Sequence, residues 1–233
     1  FDTRLAPIAR MSGARSLKDF VDSLKQDQQA HLHRAVAEAM TINETSFFRD
    51  LKPFDMLRES ILPRLIERRA DQRRLRIWSA ASSTGQEAYS LAMMLAEHFP
   101  NIAGWDVKIV GTDISRYVLE YARRARYRRL EVNRGLRVRM LMKYLTRDGE
   151  EWIVNERIRT MCEFERVNLC APLPRMPQFD LVLMRNVLLY FTQQDRTLLF
   201  REVHRKMASD GCLVLGNAEQ AEDSTDLFEV EFV

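Results

Sequence analysis

The stretch LRIWSAASSTGQEAYSLAMML, residues 75–95, decides how this chain is read. It opens as a short apolar run (Leu75, Ile77, Trp78) and passes through small residues from Ser79 to Gly85. It then settles into apolar positions at helical spacing, Ala88, Leu91, Met94 and Leu95. Strand, tight loop and helix in that order open a nucleotide-binding α/β unit. Such a unit needs backbone that comes close to a ligand at a helix N-terminus, and Ser, Ala and Gly leave nothing larger than a methyl or hydroxyl in the way. The loop has one glycine and no G-x-G-x-x-G fingerprint, so an ordinary β–α turn fits it equally when it is taken alone.

Downstream, residues 107–113 (VKIVGTD) read as a second strand that ends in an acid, Asp113. In dinucleotide and related folds a carboxylate at that place accepts hydrogen bonds from the ribose hydroxyls. A close-approach loop followed by such an acid points to an adenosine-containing cofactor. No G-x-x-x-x-G-K-[ST] occurs, which argues against a P-loop hydrolase. S-adenosylmethionine fits better than a dinucleotide, since it has no pyrophosphate to cradle and needs fewer glycines.

Outward from this pair the chain alternates. A helix is expected from about Ser115 to Ala125. Residues 127–165 break the pattern: a polar helical stretch over 137–144 precedes a hairpin signal at Asp148-Gly149, and residues 158–161 suggest a further strand. The α/β pattern resumes with a strand over 164–169 that ends in Asn168. It continues with a buried strand over 179–184, a helix over 193–207 and a strand over 212–215. The whole predicts a doubly wound α/β domain with an inserted antiparallel β-subdomain. Upstream, residues 1–40 show helical patterns and no strand pattern; Ser16 is placed to cap a helix, with Asp19 completing a capping box. A helix from 54 to 69 leads into the first strand. The expected boundaries are a helical N-terminal domain over 1–52, an α/β domain over 53–233 and the β-subdomain over 127–165.

The 233 residues are 46% hydrophobic, enough for a real core, and no apolar run approaches the length needed to span a bilayer. Cys162, Cys170 and Cys212 are odd in number and widely spaced, and the four histidines show no metal spacing. The expectations are no metal and a reducing cytoplasm. The chain begins at Phe1 and ends in the alternating run Phe228–Val233, as a chain trimmed at its termini would. Net charge is only +3, yet arginines cluster at 64–76 and 123–129. These are either solvated helix faces with acidic neighbours or an electropositive face for an acidic partner.

Five motifs in register carry a family resemblance: NETSFFR (43–49), SAASSTGQEAYS (79–90), GTDI (111–114), VNL (167–169) and RNVLLYF (185–191). The chain resembles the CheR-type chemotaxis receptor methyltransferases from about residue 17 to 217. The resemblance implies an α/β, Rossmann-like S-adenosylmethionine-dependent methyltransferase domain, with a small helical N-terminal domain and an inserted β-subdomain. It implies transfer of a methyl group from S-adenosylmethionine to glutamate side chains of chemoreceptors, leaving S-adenosylhomocysteine. Position by position, it places Asn43, Thr45 and Arg49 on the cofactor and substrate side of the cleft. Ala81 falls in the cofactor loop, Glu87 at the methionine portion, Asp113 at the ribose, and Asn168 with Leu169 at the adenine. Asn186 lines the cleft and Tyr190 lies near the transferred methyl, so Arg49 and Tyr190 are the catalytic candidates.

The chemistry is consistent with this. A glutamate with pKa about 4.3 is already an anion at neutral pH and needs no general base to attack a sulfonium methyl. Alignment and water exclusion are the enzyme's task. The planar fork of Arg49 matches two carboxylate oxygens. Two departures stand out: the basic helix of the family is reduced to Arg4, Arg10 and Arg15, and the hairpin at Asp148-Gly149 is short. The expected partner is therefore the cytoplasmic domain of a transmembrane chemoreceptor, met by a monomer that is not membrane-inserted, without a C-terminal pentapeptide tether and without nucleic acid. The rivals are an RNA or small-molecule methyltransferase, which would bind RNA in a salt-sensitive way, and a non-catalytic S-adenosylmethionine-binding interaction module, which would keep its partner when Arg49 is lost.

Overall fold

A computed structural model describes residues 2–26, 30–40, 43–221 and 226–229. The terminal run from Val230 onward, and Thr41 and Ile42 ahead of the first motif, lie outside the described residues. The chain divides into two compact units, Phe1–Glu44 and Thr45–Val233. The first contains α1 (Asp2–Met11), α2 (Leu17–Gln26) and α3 (Ala30–Met40). Its buried residues include Leu5, Ala9 and Phe20. Ser16 Oγ accepts the Asp19 amide at 3.0 Å, the cap expected ahead of α2.

The second unit starts at Thr45. A helical segment follows as α4 (Lys52–Met56), a π-type turn (Leu57–Ile61) and α5 (Leu62–Arg68). The turn precedes Pro63, which has no N–H to give and whose ring crowds the carbonyl four residues back, so the helix changes register there. Then come β1 (Arg74–Ala80), α6 (Gln86–His98), β2 (Asp106–Asp113) and α7 (Arg116–Arg124). The insertion follows as β3 (Arg126–Arg128), α8 (Arg129–Asn133), α9 (Val138–Tyr144), β4 (Leu145–Asp148), β5 (Glu151–Val154) and α10 (Glu156–Arg159). The unit continues with β6 (Cys162–Arg166), β7 (Phe179–Met184), α11 (Gln193–Lys206) and β8 (Met207–Leu215).

The main sheet runs β6-β2-β1-β7-β8, parallel throughout. Because side chains alternate across a strand, the central strands feed two cores. Leu75, Ile77, Leu181 and Leu183 join one with α6, while Trp78, Ala80, Val182 and Met184 join the other with Leu199, Phe200 and Val203 of α11. Trp78 stacks on Phe179 with ring centroids 5.5 Å apart, and its Nε1 donates to Thr112 Oγ1 at 2.9 Å. With β1 flanked by β2 and β7, the strand order reverses at β1, and the crevice outside the strand carboxyl ends is the ligand position of such sheets.

The insertion forms a second sheet, β3-β5-β4, antiparallel as expected. Asp148 pairs with Glu151 across a two-residue loop in which Gly149 has φ 60, the conformation a II′ hairpin needs. Two expectations are corrected. Residues 158–161 do not form a strand: Asn155 Oδ1 accepts the Ile158 amide at 3.2 Å and starts the helical turn α10. β6 ends at Arg166, ahead of Asn168, because its partner strand β2 ends at Asp113, opposite Arg166.

Several arginines of the two clusters are engaged within the chain. Arg69, 7% exposed, donates from Nε to Asp180 Oδ1 at 2.6 Å and from both terminal nitrogens to Asp210. Asp180 also accepts the Arg76 amide at 2.7 Å, so one ion-pair network ties α5, β1, β7 and β8. Arg76 pairs with Asp106, Arg123 with the Phe164 carbonyl, and Arg126 with Asp148 and Glu151. Among the described residues no helix is long and apolar enough to cross a membrane.

Candidate active site

Five loops meet at the carboxyl ends of the main sheet. The loop after β1 makes its turn with Ala81 at φ 58, Ser83 at φ 51 and Gly85 at φ 90. Gly85 also packs tightly, since a Cβ there would lie 2.9 Å from Ala122 Cβ. The Ser82 amide donates to the Thr112 carbonyl at 2.8 Å, and the Ser83 amide donates to Asp113 Oδ2 at 3.0 Å. The other Asp113 oxygen accepts the Ser115 amide at 3.0 Å. The buried Asp113 therefore braces both its own turn and the cofactor-type loop. A carboxylate offers about four acceptor positions, so this bracing does not by itself exhaust it.

Tyr127 of the insertion supports the loop from below, donating to the Thr84 carbonyl at 2.7 Å, and Tyr89 donates to the Ala122 carbonyl at 2.8 Å. Burial pushes both phenols well above their ordinary range, so they remain neutral donors.

Glu87, in the first turn of α6, accepts from Ser79 Oγ at 2.8 Å and from Arg185 Nη1 at 3.0 Å. Arg185 follows β7, is 6% exposed, and also donates from Nη2 to the Arg49 carbonyl at 2.9 Å and to Asp50 Oδ2 at 3.1 Å. Its guanidinium lies 5.6 Å from the Phe54 ring centre. One buried cation thus joins the end of β7, the start of α6 and the segment bearing Arg49.

That segment is held tightly. The buried Phe47 meets Tyr127 edge-on, with ring centroids 5.0 Å apart, and the Phe48 amide donates to Ser90 Oγ at 2.9 Å. Phe48 and Asp50 sit at φ 48 and φ 60, unusual for residues with side chains. Gly135 of the insertion lies against it so closely that a Cβ there would be 1.9 Å from the Phe47 carbonyl oxygen. Arg49 is half-buried, with Nε 4.0 Å from Asp50 Oδ2, and Thr45 is half-buried at the start of the segment.

After β6, the exposed Asn168 turns the chain through its Oδ1, which accepts the Cys170 amide at 3.0 Å, and Leu169 packs on the α11 core. After β7, Asn186 adopts φ 58, and Tyr190 closes a short 3-10 turn with 61% exposure. Thr45, Arg49, Ala81, Glu87, Asp113, Asn168, Leu169, Asn186 and Tyr190 all belong to the second unit, on the loops and helix start described above. Asn43 is exposed and belongs to the first unit.

Sequence reasoning missed Arg185 and Glu219. Arg185 carried a signal: a cation directly after the fully buried strand FDLVLM, where isolated charge is costly without partners. Glu219 carried none that stood out.

The residues present fit S-adenosylmethionine. Asp113 and Glu87 supply two carboxylates suited to a ribose diol and an ammonium group. Among the described residues Ser82 Oγ and Arg185 Nε are buried and have no hydrogen-bond partner, as expected of polar atoms beside a ligand site.

Residues 43–233 match the family described as "CheR methyltransferase, SAM binding domain". The chain is 37% identical over 232 residues to chemotaxis protein methyltransferase 1 of Pseudomonas aeruginosa, covering 98% of this chain and 84% of that one. It is 34% identical over 232 residues to chemotaxis protein methyltransferase Cher2 of Pseudomonas putida, with the same coverage of 98% and 84%.

Proposed function

The chain belongs to the CheR methyltransferase family, and from that premise we propose that it methylates glutamate side chains of chemoreceptors, using the carboxyl-end crevice described above. It is an S-adenosylmethionine-dependent methyltransferase of chemotaxis adaptation. The observation that supports this reading is the Arg185 junction, which joins Glu87 to the segment that presents Arg49.

Asp113 would hold the ribose and Glu87 the methionine ammonium, Asn168 with Leu169 would meet the adenine, and Thr45, Ala81 and Asn186 would line the cofactor cleft. The bound cofactor supplies a methyl carbon on a positively charged sulfur, to which a glutamate oxygen bonds as the carbon–sulfur bond breaks. The glutamate arrives as an anion, so no residue here has to remove a proton. Arg49 orients the carboxylate, presenting two nitrogens to two oxygens, without so tight a pairing as to quench the attacking lone pair. Tyr190, exposed beside the crevice, would supply a hydrogen bond or a lone pair near the methyl. The β4–β5 hairpin, four residues in each strand, supports docking without a C-terminal peptide tether. Calorimetric titration with a receptor C-terminal peptide checks this; tight binding would refute it.

Peptide mass spectrometry of receptor incubated with the chain and unlabelled cofactor tests the substrate. An added methyl on receptor glutamates is expected, and methylation confined to lysine, asparagine or RNA would overturn the proposal.

A further inference from the structure

Two loops at the crevice are joined by a single side chain that no motif marked. The Glu219 carboxylate, 8% exposed, accepts four backbone amides. Oε2 takes those of Asn186 and Gly216, and Oε1 those of Val187 and Leu188, each at 2.7 Å. Its own amide donates to the Gly216 carbonyl at 2.9 Å, which closes the turn after β8. Gly216 fits by close approach: a Cβ there would lie 2.6 Å from Glu219 Oε2 and 3.0 Å from the Asn186 nitrogen.

We propose that Glu219 is a positioning residue for methyl transfer: it fixes the 186–190 turn, holding Asn186 in its left-handed conformation and aiming Tyr190. This rests on the reading above, in which Asn186 and Tyr190 serve the cofactor and the methyl. Three consecutive amides, left unpaired by the end of β7, converge on an anion and set the backbone geometry residue by residue. Leu188, 1% exposed, pins the middle of the turn in the core, so Leu189 and Tyr190 project outward at 59% and 61% exposure. Asn186 at φ 58 has a conformation that side chains resist, and the carboxylate bonds on either side of its peptide plane hold it there. All the side-chain bonds of Glu219 given above go to loop backbone at the crevice and none to the sheet interior. That distribution suits geometry at the site more than stability of the fold.

The test is Glu219→Gln in the full chain. The amide keeps one oxygen for two of the four N–H groups and turns an NH2 toward the other two. The expected result is a fall in kcat for receptor methylation of about tenfold or more that exceeds the fall in S-adenosylhomocysteine affinity. The thermal midpoint should fall by a few degrees, because two buried N–H groups lose their acceptor. Wild-type kcat, or losses of kcat and affinity of equal size, would overturn the proposal. Hydrogen exchange at the amides of 186–188 decides the matter independently of substrate. S-adenosylhomocysteine should slow their exchange in the wild type and not in E219Q, and equal behaviour in both contradicts the proposal. If the wild type labels no receptor while this exchange contrast holds, the reading of a receptor substrate fails, and only the fixing of the 186–190 turn by Glu219 stands.

Discussion

Arg185 Nη1 and Glu87 Oε2 lie 3.0 Å apart, and this pair joins the end of β7 to the first turn of α6. Both side chains are largely withdrawn from water, Arg185 at 1% and Glu87 at 14% side-chain exposure. A carboxylate so placed can exchange part of its contact with Arg185 for an incoming ammonium, because Arg185 keeps Asp50 and the Arg49 carbonyl.

Glu87→Gln should therefore weaken S-adenosylhomocysteine binding by about tenfold or more, the loss of one charge-assisted contact. The fold should persist, since Ser79 can still donate to the amide oxygen. Isothermal calorimetry checks the affinity and circular dichroism the fold.

Asp113→Asn removes one of the two oxygens that brace the loops after β1 and β2. Cofactor affinity should fall by about 10–100-fold, and the Ser83 amide should lose exchange protection. An unchanged affinity in the same titration would remove Asp113 from the ribose site.

Gly135→Ala forces a Cβ into the Phe47 carbonyl at a residue with φ 94. Destabilisation of about 3 kcal/mol is expected from the clash and the strained conformation together. Methyl transfer should fall more than cofactor binding, since the displaced segment carries Arg49. Denaturant unfolding and turnover measured on the same sample separate the two effects.

Arg69→Met leaves the buried Asp180 without its cation, and a broken buried pair costs about 3 kcal/mol. For a unit of this size that lowers the thermal midpoint by about 6–12 °C. Differential scanning calorimetry reads it directly.

Hydrogen bonds from Arg69 hold the Asp210 carboxyl below its ordinary range. A depressed folded-state value means that the stability is present above the unfolded-state pKa near 3.9 and is lost as pH falls through the folded value. Asp210→Asn should lower stability at neutral pH and flatten its decline below about pH 4, as seen in denaturant midpoints against pH.

Much of this architecture was legible because it is local. The small-residue loop at 79–85, the acid closing VKIVGTD and the Asp148-Gly149 turn each impose backbone geometry through their own residue types. What was not legible depends on pairing between distant segments. β6 stops at Arg166 because β2 stops opposite it, which the apolar run through Leu169 cannot reveal. The strand expected at 158–161 lost to an Asn155 cap, a short-range signal outweighed by the apolar Ile158 and Met161. Arg49 and Glu87 were identifiable through their motifs, whereas the roles of Arg185, itself inside the RNVLLYF motif, and of Glu219 depend on partners far away in sequence, at separations of 98 and 33 residues.

The central claim is carboxyl methylation of receptor glutamates, and its most direct measurement uses tritiated S-adenosylmethionine with chemoreceptor-containing membranes, followed by base. A methyl ester is cleaved by base, so the account predicts label on the receptor that is released as volatile methanol, and is absent with Arg49→Ala. Base-stable label on the receptor, or label only on another acceptor, would contradict it.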